Sequence, residues 1–141
     1  MINTKNNMKK LYLDDIRMPV DSFSYTGNII YNEKDWVIVR DYDEFCAAIK
    51  FDEFECISFD HDLADEHYRD SMYDPDEHYS TYYDDGTFTE KTGYDCARWL
   101  VEYCMDGNKP LPQFLVHSMN PVGKKNIEGL LSNFQKFRKG I

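Results

Sequence analysis

Three short apolar runs in this chain each break off into groups that hold charge or move protons. Ile57-Ser58-Phe59 leads straight into Asp60-His61-Asp62-Leu63. Leu11-Tyr12-Leu13 leads into Asp14 and Asp15, and Phe114-Leu115-Val116 into His117 and Ser118. Apolar runs this short read as strands of a parallel sheet covered on both faces. Such a sheet presents its ligand crevice outside the carboxyl ends of its strands. Asp14, Asp15, Asp60, His61, Asp62, His117 and Ser118 all map to that edge. Any one of these aspartates could simply cap a strand or helix, but that reading accounts poorly for the whole set.

The segments between the runs fit the same sheet. Trp36-Val37-Ile38-Val39-Arg40 reads as a second strand, its three aliphatic residues suggesting burial on both faces. Asp41 and Glu44 have capping-box spacing, and Tyr42, Phe45, Ala48 and Ile49 then recur at helical spacing to about Lys50. A strand from Cys56 to Phe59 completes a strand, helix, strand crossover unit. Thr92 and Asp95 form a second capping box ahead of Tyr94, Ala97, Leu100, Val101 and Cys104. After the run 114–118, Asn120 is placed as an N-cap with Pro121 in the first helical position. Ile127, Leu130, Leu131, Phe134 and Phe137 make one apolar stripe on the last helix.

Two stretches break the pattern. Pro19 disfavours an immediate helix after the first strand, so 20–35 is expected as an irregular loop or small hairpin. Residues 64–90 hold nine acids and five tyrosines with no sustained period, and are expected as an insertion that could serve as a lid. The 141 residues suffice for one domain with a single core, an open parallel sheet of about four to five strands flanked by helices.

Charge narrows the partners. Sixteen Lys and Arg against 26 Asp and Glu give a net charge of −10, which repels polyanions and argues against a long nucleic-acid groove. A small anion remains compatible wherever local donors outweigh the global field. Cys46, Cys56, Cys96 and Cys104 sit in apolar patterns and never as CxxC, so free buried thiols in a reducing cytoplasm are expected. No run approaches the roughly 18 apolar residues of a membrane span.

Clustered carboxylates repel one another unless a cation or proton relieves them, so Asp14, Asp15 and Asp60 suggest a divalent metal. An all-oxygen set fits Mg²⁺ or Mn²⁺, and a participating His61 or His117 would move the preference toward Mn²⁺, Fe²⁺ or Zn²⁺. Two histidines at neighbouring strand ends also suit acid and base roles in phosphate-ester chemistry. The start of the last helix offers free backbone N–H groups for an anion, with Lys124, Lys125 and Arg17 as local cations.

Leu13-Asp14-Asp15 with Arg17 and Pro19, Asp60-His61-Asp62-Leu63, Thr92-Gly93-Tyr94, and Val116-His117-Ser118 with Asn120-Pro121-Val122-Gly123 together resemble one family. This is the cyclic-phosphate-processing receiver-like domain, a divergent relative of response-regulator receivers. The resemblance covers about two thirds of the chain, omitting 20–35 and 64–90. It implies a receiver-like, flavodoxin-like sheet and a metal-assisted phosphodiesterase acting on a cyclic phosphate of a nucleotide or RNA end. On that pattern Asp14, Asp15 and Asp60 hold the metal, and His61, His117 and Asp60 form the catalytic group. Arg17, Asp62, Thr92, Ser118, Asn120 and Lys124 surround the substrate. A non-catalytic cyclic-nucleotide binder and a phospho-accepting receiver are the alternatives. The chain departs from an ordinary receiver in lacking a further strand with the receiver's lysine.

Overall fold

The computed structural model describes residues 9–63 and 91–139, so the expected insertion at 64–90 lies outside the described residues. Four parallel strands, β1 (Lys9–Leu13), β2 (Trp36–Val39), β3 (Phe54–Phe59) and β4 (Gln113–Val116), stand in the order β2-β1-β3-β4. Helices α1 (Pro19–Thr26), α2 (Tyr42–Phe51), α3 (Gly93–Asp106) and α4 (Pro121–Lys139) complete the described elements, with a short 3-10 helix at Ile29–Asn32. This is the receiver-like, flavodoxin-like architecture, with four strands.

Side chains alternate across each strand, and here the alternation separates two kinds of chemistry. Leu11, Leu13, Ile57, Phe59, Val39 and Val116 share one face. They pack with Phe45 and Ile49 of α2, Cys96 and Leu100 of α3, and Ile127, Leu131 and Phe134 of α4. Each large side chain buried there contributes about 1.5–3 kcal/mol, so this face carries most of the stability. The opposite face carries Lys10, Tyr12, Cys56 and Ser58, covered by α1 and the 3-10 helix. Tyr12 meets Tyr31 and Trp36 edge-on at centroid distances of 6.2 and 5.9 Å, and its hydroxyl lies 2.7 Å from Ser22 Oγ. One face is oily; the other is a layer of rings and hydroxyls.

The loop expected over 20–35 is instead largely helical. Proline restricts the residue before it to extended backbone, and Met18 is extended at φ −111, ψ 159 as an N-cap should be. Pro19 then takes the first helical position, where an N–H would have had no partner. Asp21 accepts from Met18 N at 2.8 Å, and Gly27 closes the helix in the left-handed conformation at φ 73. The proline thus starts the helix it was expected to prevent. Trp36, Val37 and Ile38 are only half-buried, because β2 is an edge strand of the described sheet.

The other expected elements match closely. Asp41 caps α2 by accepting from Glu44 N at 2.8 Å, while Glu44 reaches back to Arg40 N at 2.7 Å. Thr92 and Asp95 form the capping box of α3, and Asn120 Oδ1 accepts from Gly123 N at 3.0 Å at the start of α4. All four cysteines are free and buried. Among the described residues no helix is long and apolar enough to cross a membrane.

Candidate active site

The chain runs from β1 outward to β2, then back across to β3 and β4, so strand order reverses between β1 and β3. In open α/β sheets the ligand crevice lies at the carboxyl side of that reversal. Asp14 and Asp60 occupy it. The strand ladder runs one residue beyond each strand: Asp14 N donates to Val39 O at 3.1 Å, Asp60 N to Leu13 O at 3.0 Å, and His117 N to Phe59 O at 3.0 Å. Neighbouring backbones therefore fix the three residues before any side chain acts.

Asp14, Asp60 and His117 are all buried, and each offers one ligand atom within 4.8 Å of the others. Burial opposes a charge on Asp14, but His117 and the backbone N–H groups of Arg17 and Ile16 outweigh it and hold the carboxyl below its ordinary range. Burial, reinforced by the neighbouring Asp14 charge, pushes Asp60 up to about 7. His61 N donates to Asp60 Oδ1 at 2.8 Å, while Asp60 Oδ2 has no hydrogen-bond partner among the described residues. A buried oxygen without a donor next to a second carboxylate fits a cation, and the donor set suits a divalent metal. Asp15 adjoins this cluster, half-buried, without belonging to it.

The elevated Asp60 makes a signed prediction for the metal-free protein. Between about pH 4 and about pH 7 the folded state holds a proton that the unfolded state releases, so stability falls as pH rises through that window. Asp60→Asn removes this charge. In chelator the variant should gain on wild type as pH rises, reaching a lead on the order of 3 kcal/mol above neutrality and losing it toward about pH 4. Urea unfolding across that range measures it, and a pH-independent difference would mean that Asp60 ionises without penalty.

The two histidines occupy different settings. His117 is 1% exposed, and its ring stacks on Tyr12 at 4.4 Å. A carboxylate only accepts, so Nε2–H donates to Asp14 Oδ2 at 3.0 Å, leaving Nδ1 to accept from Ser58 Oγ at 2.7 Å. Ser58 in turn accepts from Tyr31, whose hydroxyl is pushed up to about 12 by burial and stays a donor at 2.7 Å. Burial also keeps His117 neutral, holding it below its ordinary range. His61 is half-buried at the surface; its Nδ1 lies 2.9 Å from Asp62 Oδ1, which leaves Nε2 as the accepting nitrogen. Its ring rests against Gly123 in the first turn of α4, and its carbonyl accepts from Gly93 N at 2.7 Å.

The cations and caps form the rim. Arg17 Nη1 lies 3.6 Å from Asp14 Oδ2, Nη2 donates to Met119 Sδ at 3.3 Å, and the guanidinium lies 5.5 Å from the Tyr25 ring centre. Ser118 Oγ accepts from Asn120 N at 3.1 Å, and Asn120 Nδ2 reaches Asp62 Oδ2 at 3.5 Å. Lys124 is exposed on the first turn of α4. Thr92 is engaged as the cap of α3, its hydroxyl accepting from Asp95 N at 3.3 Å. Four contributors were missed from sequence: Tyr25, Tyr31, Ser58 and Arg40. Arg40 pins the loop after β1 by donating to Asp14 O and Arg17 O at 2.9 and 2.7 Å. Ser58 was legible in principle, since a strand's alternation puts it on the face opposite Ile57 and Phe59.

The family model for the cyclic-phosphate processing receiver domain matches residues 9–133, from β1 into α4. The chain belongs to that family. Its acidic strand ends, His61 and the β4 edge of this receiver domain all fall inside the matched span. Comparison with the curated proteins and with the solved structures finds no match. Family membership ties the domain to cyclic-phosphate processing, and the geometry adds a buried Asp-Asp-His cluster able to hold a metal.

Proposed function

We propose that this receiver domain is a metal-assisted phosphodiesterase that opens a cyclic phosphate on a nucleotide or RNA end. The observation that carries the reading is Asp60 Oδ2, a buried carboxylate oxygen without a donor, facing Asp14 and His117 at the switch point of the sheet. Asp14 and Asp60, with Asp15 beside them, would hold a divalent ion through oxygen ligands, which suits Mg²⁺ or Mn²⁺. When bound, the ion supplies positive charge against the phosphate oxygens.

The chain's own groups divide the remaining work. Asp62 holds His61 in the tautomer that leaves Nε2 to accept the proton of the water attacking phosphorus. The ring phosphorus–oxygen bond breaks, and the leaving ribose oxygen takes a proton from the resulting imidazolium or from solvent to give the monoester. His117 orients Asp14 through a bond fixed from behind by Ser58 and Tyr31. Arg17, Lys124, Ser118 and the N-terminus of α4 bind the phosphate oxygens, with Asn120 capping that helix and tethered to Asp62. This scheme uses one exchanging histidine where sequence suggested two, because His117 has both nitrogens engaged.

Phosphorus NMR tests the reading. Purified protein is incubated with 2′,3′- and 3′,5′-cyclic nucleotides and cyclic-phosphate RNA ends, in Mg²⁺, in Mn²⁺ and in chelator. A monoester resonance that requires metal is expected. A shifted or broadened ligand signal with no product would make the domain a cyclic-nucleotide binder, and labelling of Asp60 by a phosphodonor would make it a true receiver.

A further inference from the structure

A cavity of about 490 Å³ opens beside the phosphate-binding rim, on the outer side of β4. Its walls are Tyr25 and Thr26 at the end of α1, the segment 116–119 at the end of β4, His117 included, and Lys124 on α4. The volume lies within the roughly 300–1,000 Å³ of small-molecule sites and exceeds what a phosphate alone would fill. Its lining is as much polar as apolar, with the Lys124 ammonium and the Ser118 and Thr26 hydroxyls among its groups. The Ser118 hydroxyl oxygen already accepts from Asn120 N, which leaves its hydrogen to donate.

The cavity shares walls with the residues proposed above to hold the phosphate. Met119 accepts from Arg17, and the same guanidinium lies over the Tyr25 ring. Tyr25 is held rigid because its hydroxyl donates to the His117 carbonyl. Met119 is 63% exposed, an apolar thioether kept at the mouth with little of its surface covered. A fixed aromatic ring and a polarisable sulfur at the mouth make a wall suited to a flat ring system that also carries polar edges. A ligand whose phosphate meets Arg17 and Lys124 has its organic portion directed into this space.

We infer that the cavity bounded by Tyr25, Thr26, Met119 and Lys124 receives the nucleoside portion of the ligand, making the domain selective for nucleotides over small phosphoesters. The inference rests on the phosphate site proposed above. It is independent of turnover, since a site that binds without cleaving would discriminate in the same way.

The test uses monoesters that the reaction does not consume. Calorimetry with the full chain in Mn²⁺ compares a nucleoside 2′-monophosphate with methyl phosphate. Wild type is expected to bind the nucleotide at least roughly tenfold more tightly. Thr26→Trp, at an exposed position on the cavity wall, fills the space and should bring that ratio close to one. Met119→Ala, which removes an exposed side chain, should lower the ratio severalfold and serves if the tryptophan variant does not fold. Equal affinity for the two monoesters in wild type would overturn the inference. So would a ratio unchanged in a folded Thr26→Trp, or in Met119→Ala where that variant stands in. Nucleotide selectivity without any cyclic-phosphate turnover would leave the inference standing and remove the hydrolase reading. Turnover with no selectivity would do the reverse.

Discussion

Gly93→Ala is expected to destabilise the protein by about 2–4 kcal/mol and lower Tm by roughly 10 °C. A methyl group there would sit 1.7 Å from the Asp60 carbonyl oxygen, 2.8 Å from its carbon and 3.0 Å from His61 Cα. All three atoms are backbone, so no side chain can swing aside. The strand end is pinned by Asp60 N to Leu13 O and by Gly93 N to His61 O, which means relief requires moving α3 or tearing the ladder. Alanine's better helix propensity offsets at most about 1 kcal/mol of this. The displaced strand end carries Asp60, so metal affinity should fall with stability. Thermal unfolding with and without Mn²⁺ measures both, and an unchanged Tm would show that α3 is not seated against the strand end as described.

Gly123→Ala is expected to cost function far more than stability. Its methyl would lie 2.4 Å from His61 Cγ, 2.5 Å from Cδ2 and 2.9 Å from Cβ; the ring can rotate into solvent, but Cβ moves only with the local backbone. The helix gains up to about 1 kcal/mol in propensity while the imidazole leaves its place beside Asp62. On the hydrolase reading proposed above, turnover of a cyclic phosphate should therefore drop about a hundredfold with Tm lowered by only a few degrees, and His61→Gln should lose on the order of 10²–10⁴-fold. Initial rates from phosphorus NMR, set beside melting curves, decide the matter. Undiminished turnover in both variants would remove His61 from the chemistry.

Most of the architecture was legible because strand, cap and periodicity are local properties. Asp41, Thr92 and Asn120 cap the helices they were expected to cap, since a side-chain oxygen meeting a backbone N–H three residues on needs no distant partner. The region after Pro19 was misjudged because one residue type has two local meanings, helix breaker within a helix and helix starter at its first position. Asp21 and Gly27 decided between them. The site was half legible. That Asp14, Asp60 and His117 end strands could be read directly, but strand order could not, and only the order β2-β1-β3-β4 makes the ends of β1 and β3 the crevice.

The sequence by itself determined that carboxylates and histidines gather at one sheet edge, because each follows its own apolar run and parallel strands all end on the same side. The tertiary structure alone decided what each group does there. His61 and His117 have similar sequence surroundings, yet one lies half-buried against Gly123 and the other is enclosed between Asp14, Ser58 and Tyr12. Burial and hydrogen-bond partners set a group's charge and proton affinity, and both are properties of neighbours brought together across the whole chain.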